Sequence, residues 1–391
     1  MLRSARSTSD SFPPRHFSRD AGEERTMWTR RDFGLGLGAL GLTGSLPALA
    51  QKLRVMKVAN TAGVNDPQQC FVTAGQHPRL NFYKPEGVDV EYVNMSSMTQ
   101  ALQSLRAGHV DYGPAVPGIL LPAMAKDPGL DLVSVYKWLP RNANVVVVKP
   151  GSPIRSVADL AGKRIGVRSQ GDTGIVVTRT MLAELGLKDD RCEYIAIGDG
   201  APAGAAIDND RVDAMVAFDT AAARVELVGT KLRYVPLTPK FAQFGSGWLC
   251  VPRELLKKER KALVGLFRGM AKSTLFAHHN LEAGIDLHWA VYPESRPKGR
   301  SEDEARKELA FILKDRRNSW MRRPDDPDQR IGASSLAEWK SNIEMAVDGS
   351  RNPKLADELG DPNRLFTNEL IDEVNAFDRQ AVVEMAKTFR L

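Results

Sequence analysis

Apolar and polar positions between residues 53 and 251 follow two alternating periods. Residues 53–59 (LRVMKVA) and 88–93 (VDVEYV) have strand character, and the second places apolar side chains at every other position, as a half-buried strand does. Residues 97–107 instead set Leu102 and Leu105 on one helical face, 110–112 reads as a short strand and 117–125 as a helix. A strand at 130–136 follows, then Val145-Val146-Val147-Val148, an unbroken β-branched run ended by Lys149-Pro150-Gly151, which predicts a strand buried on both faces. A second series begins with a short helix at 156–161, with Ser156 as N-cap and Gly162 just past its end. Strands at 164–167, 194–197, 212–218 and 232–236 then alternate with helices at 173–185, 201–208 and 221–228. Such repetition predicts an α/β chain with mostly parallel sheets flanked by helices. After a strand at 248–251 helices dominate to the end, two of them opening on capping-box patterns, Ser301-x-x-Glu304 and Ser335-x-x-Glu338. Two α/β units therefore precede a helical C-terminal extension.

Composition adds exclusions. The chain has 391 residues, 42% hydrophobic, 26% charged and 7% aromatic, an ordinary globular balance with room for one two-lobed protein. Net charge is +6, the first 50 residues holding seven Arg against five acids and so leaving +4 to the rest. Basic residues are interleaved with acids, as in Lys257-Lys258-Glu259-Arg260-Lys261, so no nucleic-acid partner is expected. Cys70, Cys192 and Cys250 are too few and scattered for a disulfide framework or zinc site; they leave room for at most one bridge and at least one free thiol. His278, His279 and His288 fall in one helical stretch with no pair at i, i+4, so no metal face is expected. The chain lacks G-x-S-x-G, P-loop and strand-following G-x-G-x-x-G motifs, and we expect no catalytic residues, no metal and no cofactor.

Residues 1–50 read as an export signal. Thr29-Arg30-Arg31-Asp32-Phe33 precedes a charge-free stretch at 34–46, followed by Pro47-Ala48-Leu49-Ala50, the n-region, h-region and A-x-A layout. The apolar run is shorter than the ~20 residues a membrane span needs. Cleavage before Gln51, which is not the Cys of a lipoprotein, gives a soluble periplasmic protein. The Arg30-Arg31 pair resembles the twin-arginine pattern, and Met27 offers a second start, with 1–26 upstream of it.

Gly151 to Val167 (GSPIRSVADLAGKRIGV) resembles the segment that opens the second lobe of ABC-transporter periplasmic solute-binding proteins of the nitrate, sulfonate and taurine type, in the thiamine-pyrimidine-synthesis-like group. In the same order, 169–174 (SQGDTG) resembles the loop before the next helix and 208–219 (DNDRVDAMVAFD) the G-x-V-D-A strand and its tip. Residues 101–111 (ALQSLRAGHVD) look like the first-lobe counterpart, and 365–372 (LFTNELID) is in keeping; Asp210 stands where the family usually has Gly. The resemblance covers most of 53–391 and implies the two-lobed periplasmic binding protein type II fold. Lobe one would be 53–147 plus 245–391 and lobe two 148–244, with crossings near 145–149 and 239–248. It further implies a monomer that closes over a small anionic or organic ligand and hands it to an inner-membrane ABC permease. A pyrimidine-precursor synthase of thiamine biosynthesis and a chemosensory or accessory binding protein share the fold and stand as alternatives.

Ligands in open α/β sheets bind beyond the carboxyl ends of strands, which here marks Asn60, Thr61, Ser96, Ser97, Tyr112, Gly113, Phe218 and Asp219 as ligand-binding candidates. Ser169, Gln170, Gly171, Asp172 and Thr173 form either an anion cradle at a helix start or a plain N-cap by Asp172 or Thr173. Asp219 is either a ligand contact or a cap. Trp248, with Tyr136 or Trp138, offers stacking surface or inter-lobe packing, and Lys137 and Arg141 either serve an acidic group or are solvated.

Overall fold

In the computed structural model, which describes residues 52–390 apart from 62, 63, 96 and 244, ten strands precede a wholly helical C-terminal part. The export signal at 1–50 lies outside the described residues. The strands are β1 (Arg54–Asn60), β2 (Val88–Asn94), β3 (Gly113–Ala115), β4 (Leu132–Leu139), β5 (Asn144–Val148), β6 (Arg164–Val167), β7 (Glu193–Ala196), β8 (Ala214–Phe218), β9 (Arg233–Val235) and β10 (Gly247–Pro252). The short strand expected at 110–112 lies one step later, at β3.

β1 pairs parallel with β2, and β10 lies antiparallel between β3 and β4. A parallel bridge between Val58 and Tyr112 links these pieces, so the first sheet runs β2-β1-β3-β10-β4. The second runs β7-β6-β8-β5-β9. In each, a strand arriving from the other sheet is inserted beside the last one and runs antiparallel to both neighbours, because it enters from the opposite end. The parallel character expected from strand–helix repetition holds for the others: β6 is parallel to β7 and β8.

The valine run behaves as its composition dictates. Val146 and Val148 pack with Ile165, Val167 and Met181 on one face of the second sheet, whereas Val147 packs with Ala206, Ile207 and Ala221 on the other. Because 145–148 belong to this sheet, the chain leaves the first sheet at 140–143, just ahead of the expected crossing. It returns by way of the helix Pro239–Gln243 to β10, which begins at Gly247.

C-terminal helices complete the structure. The helix Arg260–His279 buries Leu263, Leu266, Phe267 and Met270 in the largest core cluster, with Val58, Tyr112 and Tyr136. The chain beyond it covers the edge of β4, bridging at Ser134–Phe366 and Lys137–Gly332, so that strand is not left open. The helix Leu336–Ser350 packs on both Pro117–Lys126, beside the first sheet, and Thr173–Glu184, on the second. The hydroxyl of Thr180 donates to the Met345 carbonyl at 3.2 Å.

Ser335 caps that helix by accepting from the Glu338 backbone N–H at 3.2 Å. The Glu338 carboxylate does not turn back as a capping box would; both its oxygens lie 2.8 Å from Lys137 Nζ, with both side chains buried. The 301–304 box, in contrast, is complete. Lys137 is therefore neither solvated nor open to a ligand. Burial lowers its ammonium below the usual lysine range, and Glu338 opposes that.

The expected single histidine stretch is two helices, divided where Asn280 caps Leu281–Val291. His288 is fully buried, its Nδ1 2.7 Å from the Thr73 hydroxyl, and burial lowers its imidazole to about 4.

Two predictions follow from these buried groups. Glu338→Ala leaves Lys137 charged and unpaired, and urea denaturation should show a loss of about 3–5 kcal/mol, most of it recovered in a Lys137→Met, Glu338→Leu double variant. For His288 the folded-state value lies below the unfolded one, so its contribution is complete above about 6.5 and lost as pH falls toward about 4. His288→Gln should flatten that acid limb in thermal melts across pH 4–7; an unchanged limb would show that other groups set it.

Candidate functional site

Beyond the carboxyl ends of β1 and β4 lies a cavity of about 780 Å³ including its open mouth, lined by Asn60, Thr61, Gln69, Phe71, Tyr92, Tyr112, Trp138 and Arg316. The indole of Trp138 lies against the start of β10. A Cβ on Gly247 would lie 2.7 Å from that ring, so glycine is required there. Phe71 stacks on the indole, with centroids 5.2 Å apart and planes 6° from parallel, and Trp320 packs on Phe71 at 5.1 Å.

Three polar atoms in this lining are buried with no hydrogen-bond partner among the described residues: the Tyr112 hydroxyl, Trp138 Nε1 and Gln69 Oε1. Such groups cost about 1–3 kcal/mol each when unsatisfied. Gln69 is held by its other end, Nε2 donating to Asn60 Oδ1 at 2.7 Å, while Asn60 Nδ2 donates to Asn94 Oδ1 at 2.6 Å and to the Val64 carbonyl at 2.8 Å. Burial raises the phenols of Tyr112 and Tyr92, so both remain neutral O–H groups.

Arg316, only 8% exposed, brings positive charge. Its Nε lies 2.9 and 3.2 Å from the two Asp219 oxygens, Nη2 also bonds Asp219, and the guanidinium sits 5.5 Å from the Phe218 ring centroid. Asp219 opens the helix Asp219–Leu227 at the tip of β8, so this pair joins the C-terminal part to the second sheet beside the cavity. Arg224 of the same helix lies 3.7 Å from Asp66, in the loop after β1.

The strand-end residues thus separate into groups. Asn60, Thr61 and Tyr112 line this cavity. Asp219 reaches it only through Arg316. Phe218, Trp248 and Thr173 line a second cavity on the other side of β10, and Trp248 Nε1 donates to the Ser334 hydroxyl at 3.1 Å. Gly113 is buried within β3 opposite Cys250, and Ser97 is an N-cap accepting from the Gln100 N–H at 3.2 Å. Ser96 lies outside the described residues.

Ser169, Gln170 and Gly171 are exposed and line neither cavity. Asp172 is the N-cap of Thr173–Glu184, accepting from the Gly174 N–H at 2.8 Å and from Arg168 Nε at 2.8 Å. Arg141 donates to the carbonyls of Met321 and Arg322 at 2.9 and 2.8 Å. All three cysteines are free thiols, and burial pushes Cys250 up to about 12.

Arg316 escapes sequence reasoning because Asp315-Arg316-Arg317-Asn318 looks like solvated charge in a helical tail. Gln69 follows an Asp-Pro turn that signals only a helix start. Trp138 is legible as an aromatic at a strand end, and its free N–H is not.

The family described as NMT1/THI5 like matches residues 75–283, more than half of the chain. A protein of Escherichia coli (strain K12) named for binding aliphatic sulfonates is 32% identical over 152 residues, 38% of this chain and 46% of that protein, so the chain matches a little under half the length of this relative. The periplasmic aliphatic sulphonate binding protein SsuA from Escherichia coli shares the fold at TM-score 0.60 and 20% identity, over 81% of this chain and 92% of that one. The alkanesulfonate-binding protein SsuA from Xanthomonas axonopodis pv. citri, bound to MOPS, does so at TM-score 0.53 and 20% identity, over 83% and 98%. Together they establish the two-sheet periplasmic binding protein architecture.

If the Tyr112 hydroxyl is held unpaired for a ligand, Tyr112→Phe should leave the ligand-free protein as stable or up to about 1 kcal/mol more stable in urea denaturation. A loss of stability would show that the hydroxyl is satisfied within the protein.

Proposed function

The chain belongs to the NMT1/THI5-like family, and on that premise we propose that it is the periplasmic solute-binding component of an ABC importer that captures a small organic anion with a sulfonate-type head group. The observation that carries this reading is the convergence of Arg316, the Tyr112 hydroxyl and Trp138 Nε1–H on one cavity. All three are donors, and a tetrahedral oxyanion presents acceptors in several directions at once. Charge-assisted hydrogen bonds to such a group contribute about 1.5–3 kcal/mol each, roughly twice a neutral one. Gln69 Oε1 is the one acceptor among them and suits an N–H or O–H elsewhere on the ligand. The stacked pair of Phe71 and Trp138 provides apolar wall for the organic part. The names of the relatives, for aliphatic sulfonates and alkanesulfonate, point to the same head group.

Asp219 has a defined part in this reading: it holds Nε and Nη2 of Arg316 and lowers the net positive charge offered to the anion. The lobes follow the strands, lobe one being 53–139 plus 247–391 and lobe two 144–235, joined by 140–143 and 236–246, in place of the expected bounds of 53–147 plus 245–391 and 148–244, and closure of one on the other buries the ligand. The N-terminal 50 residues direct export by the twin-arginine route, the mature protein works as a monomer, and its partner is the permease. Ligand turnover is not part of the role. Among the described residues no helix is long and apolar enough to cross a membrane, and no group of three or more His, Cys, Asp or Glu is placed to hold a metal ion.

Isothermal titration of the mature protein with butanesulfonate and with MOPS tests the assignment. Binding of at least one is expected, weakened about ten- to a hundredfold in Arg316→Ala. Asp219→Asn should lower the melting temperature of the ligand-free protein yet enlarge the rise that a sulfonate produces, since the anion then neutralises Arg316. Failure of Arg316→Ala to alter binding, or chemical conversion of the sulfonate by the protein alone, would sink the reading.

A further inference from the structure

The helix Asp219–Leu227 of lobe two carries three charged side chains, and each meets a residue of lobe one. Asp219 pairs with Arg316, Glu226 Oε2 lies 3.4 Å from Lys314 Nζ, and Arg224 Nη2 lies 3.7 Å from Asp66 Oδ2. The two acids thus reach the C-terminal part, on which the helix also packs through Glu302–Ile312. Of the three, only Arg224 reaches the segment that follows β1.

Asp66 is more than a counter-charge there. Its Oδ1 accepts from the Gln68 N–H at 2.8 Å, capping the short turn Pro67–Gln69, and its Oδ2 accepts from Gln68 Nε2 at 3.0 Å. Gln68 and Gln69 both line the sulfonate cavity. The oxygen that holds the Gln68 side chain is therefore the one nearest Arg224, and a chain of contacts runs from a helix of lobe two through Asp66 to the cavity wall in lobe one. At 3.7 Å no direct hydrogen bond joins Arg224 to Asp66, so charge does the holding. Both side chains are half-buried, where salt screens less than at an open surface. A second carboxylate, Asp199 of lobe two, lies 3.7 Å from Arg224 Nη1, and Asp199 lines neither cavity.

Resting on the sulfonate reading, we propose that Arg224 is a positioning residue of that cavity: it holds Asp66 by charge across the lobes and so fixes where Gln68 and Gln69 stand in the wall.

Hydrogen–deuterium exchange of the mature, ligand-free protein reads the hold itself. In Arg224→Gln, peptides covering 64–70 should exchange about two- to fivefold faster, and Arg224→Lys, which keeps the charge, should exchange as slowly as the unaltered protein. Calorimetric titration with whichever of butanesulfonate and MOPS binds reads the consequence. Arg224→Gln and Asp66→Asn, the latter still able to cap the turn, should each weaken binding about two- to fivefold, and the double variant no more than either alone. Asp199→Asn removes only the partner within lobe two and should leave affinity unchanged. Unchanged exchange in Arg224→Gln would overturn the proposal, as would losses that multiply in the double variant, or a loss in Asp199→Asn equal to that in Arg224→Gln. The exchange measurement needs no ligand: if neither sulfonate binds while 64–70 loosens as expected, the sulfonate assignment fails and the hold of Arg224 on the cavity wall stands.

Discussion

The buried pair of Lys137 and Glu338 is the constraint on which the rest of the arrangement depends. It joins the end of β4 to the first turn of the helix Leu336–Ser350, one of the elements in contact with both halves. The desolvation of two charges costs several kcal/mol per ion and is offset only by good geometry, so such a pair is a poor source of stability and a strict specifier of position. With Nζ 2.8 Å from each carboxylate oxygen, the helix has one register in which the cost is met. Slipping by one residue would bury an ammonium without its partner. Trp339, next in sequence, is thereby set 5.5 Å from Trp248, and Asn342, one turn further on, is brought to the second cavity.

The same economy governs the two cavities. One strand, β10, separates them, and the period of two in its side chains gives each a different wall. On one side an arginine already neutralised by an aspartate adds unpaired neutral donors; on the other, amide- and hydroxyl-bearing residues share the lining with apolar ones, and no Asp, Glu, Lys or Arg is among the described lining residues. In a low-dielectric setting that difference outweighs shape. An anion entering the second cavity would lose its hydration with nothing to replace it, while an apolar molecule in the first would leave three polar atoms unsatisfied. An anion is therefore directed to the first cavity by where charges are missing as much as by where they are present.

Most of the fold was legible because its signals are local. The valine run of β5, the Gly162 stop and the Asp172 and Ser301 caps each announce an element within a few residues. What was not legible depends on contacts made across the chain. Glu338 has the spacing of a capping box, and only the approach of a residue 201 positions away diverts it. Arg316 meets Asp219 over 97 residues, so neither of two ordinary-looking charges reveals the other. Strand-end logic located Asn60 and Thr61 at the cavity because sheet geometry sets where β1 finishes; Tyr112 also lines it, but from the amino end of β3 rather than from a strand end. The same logic placed the loop at 169–171 less well, because whether a loop folds over a cleft or away from it is decided by tertiary packing.

The matching strand orders have a bearing on how the chain folds. The second sheet is assembled entirely from residues 144–235, so all its strands are available once that stretch has left the ribosome. The first sheet lacks its inner strand until residue 252 is made, and its β4 edge stays uncovered until the segments around 332 and 366 arrive. Domains generally fold as units during synthesis, and non-local pairing is slow because loop closure comes before contact. The later-numbered sheet is therefore the earlier to form, and the N-terminal strands wait, with β1 and β2 as the exposed apolar surface that a chaperone would have to shield in the interval.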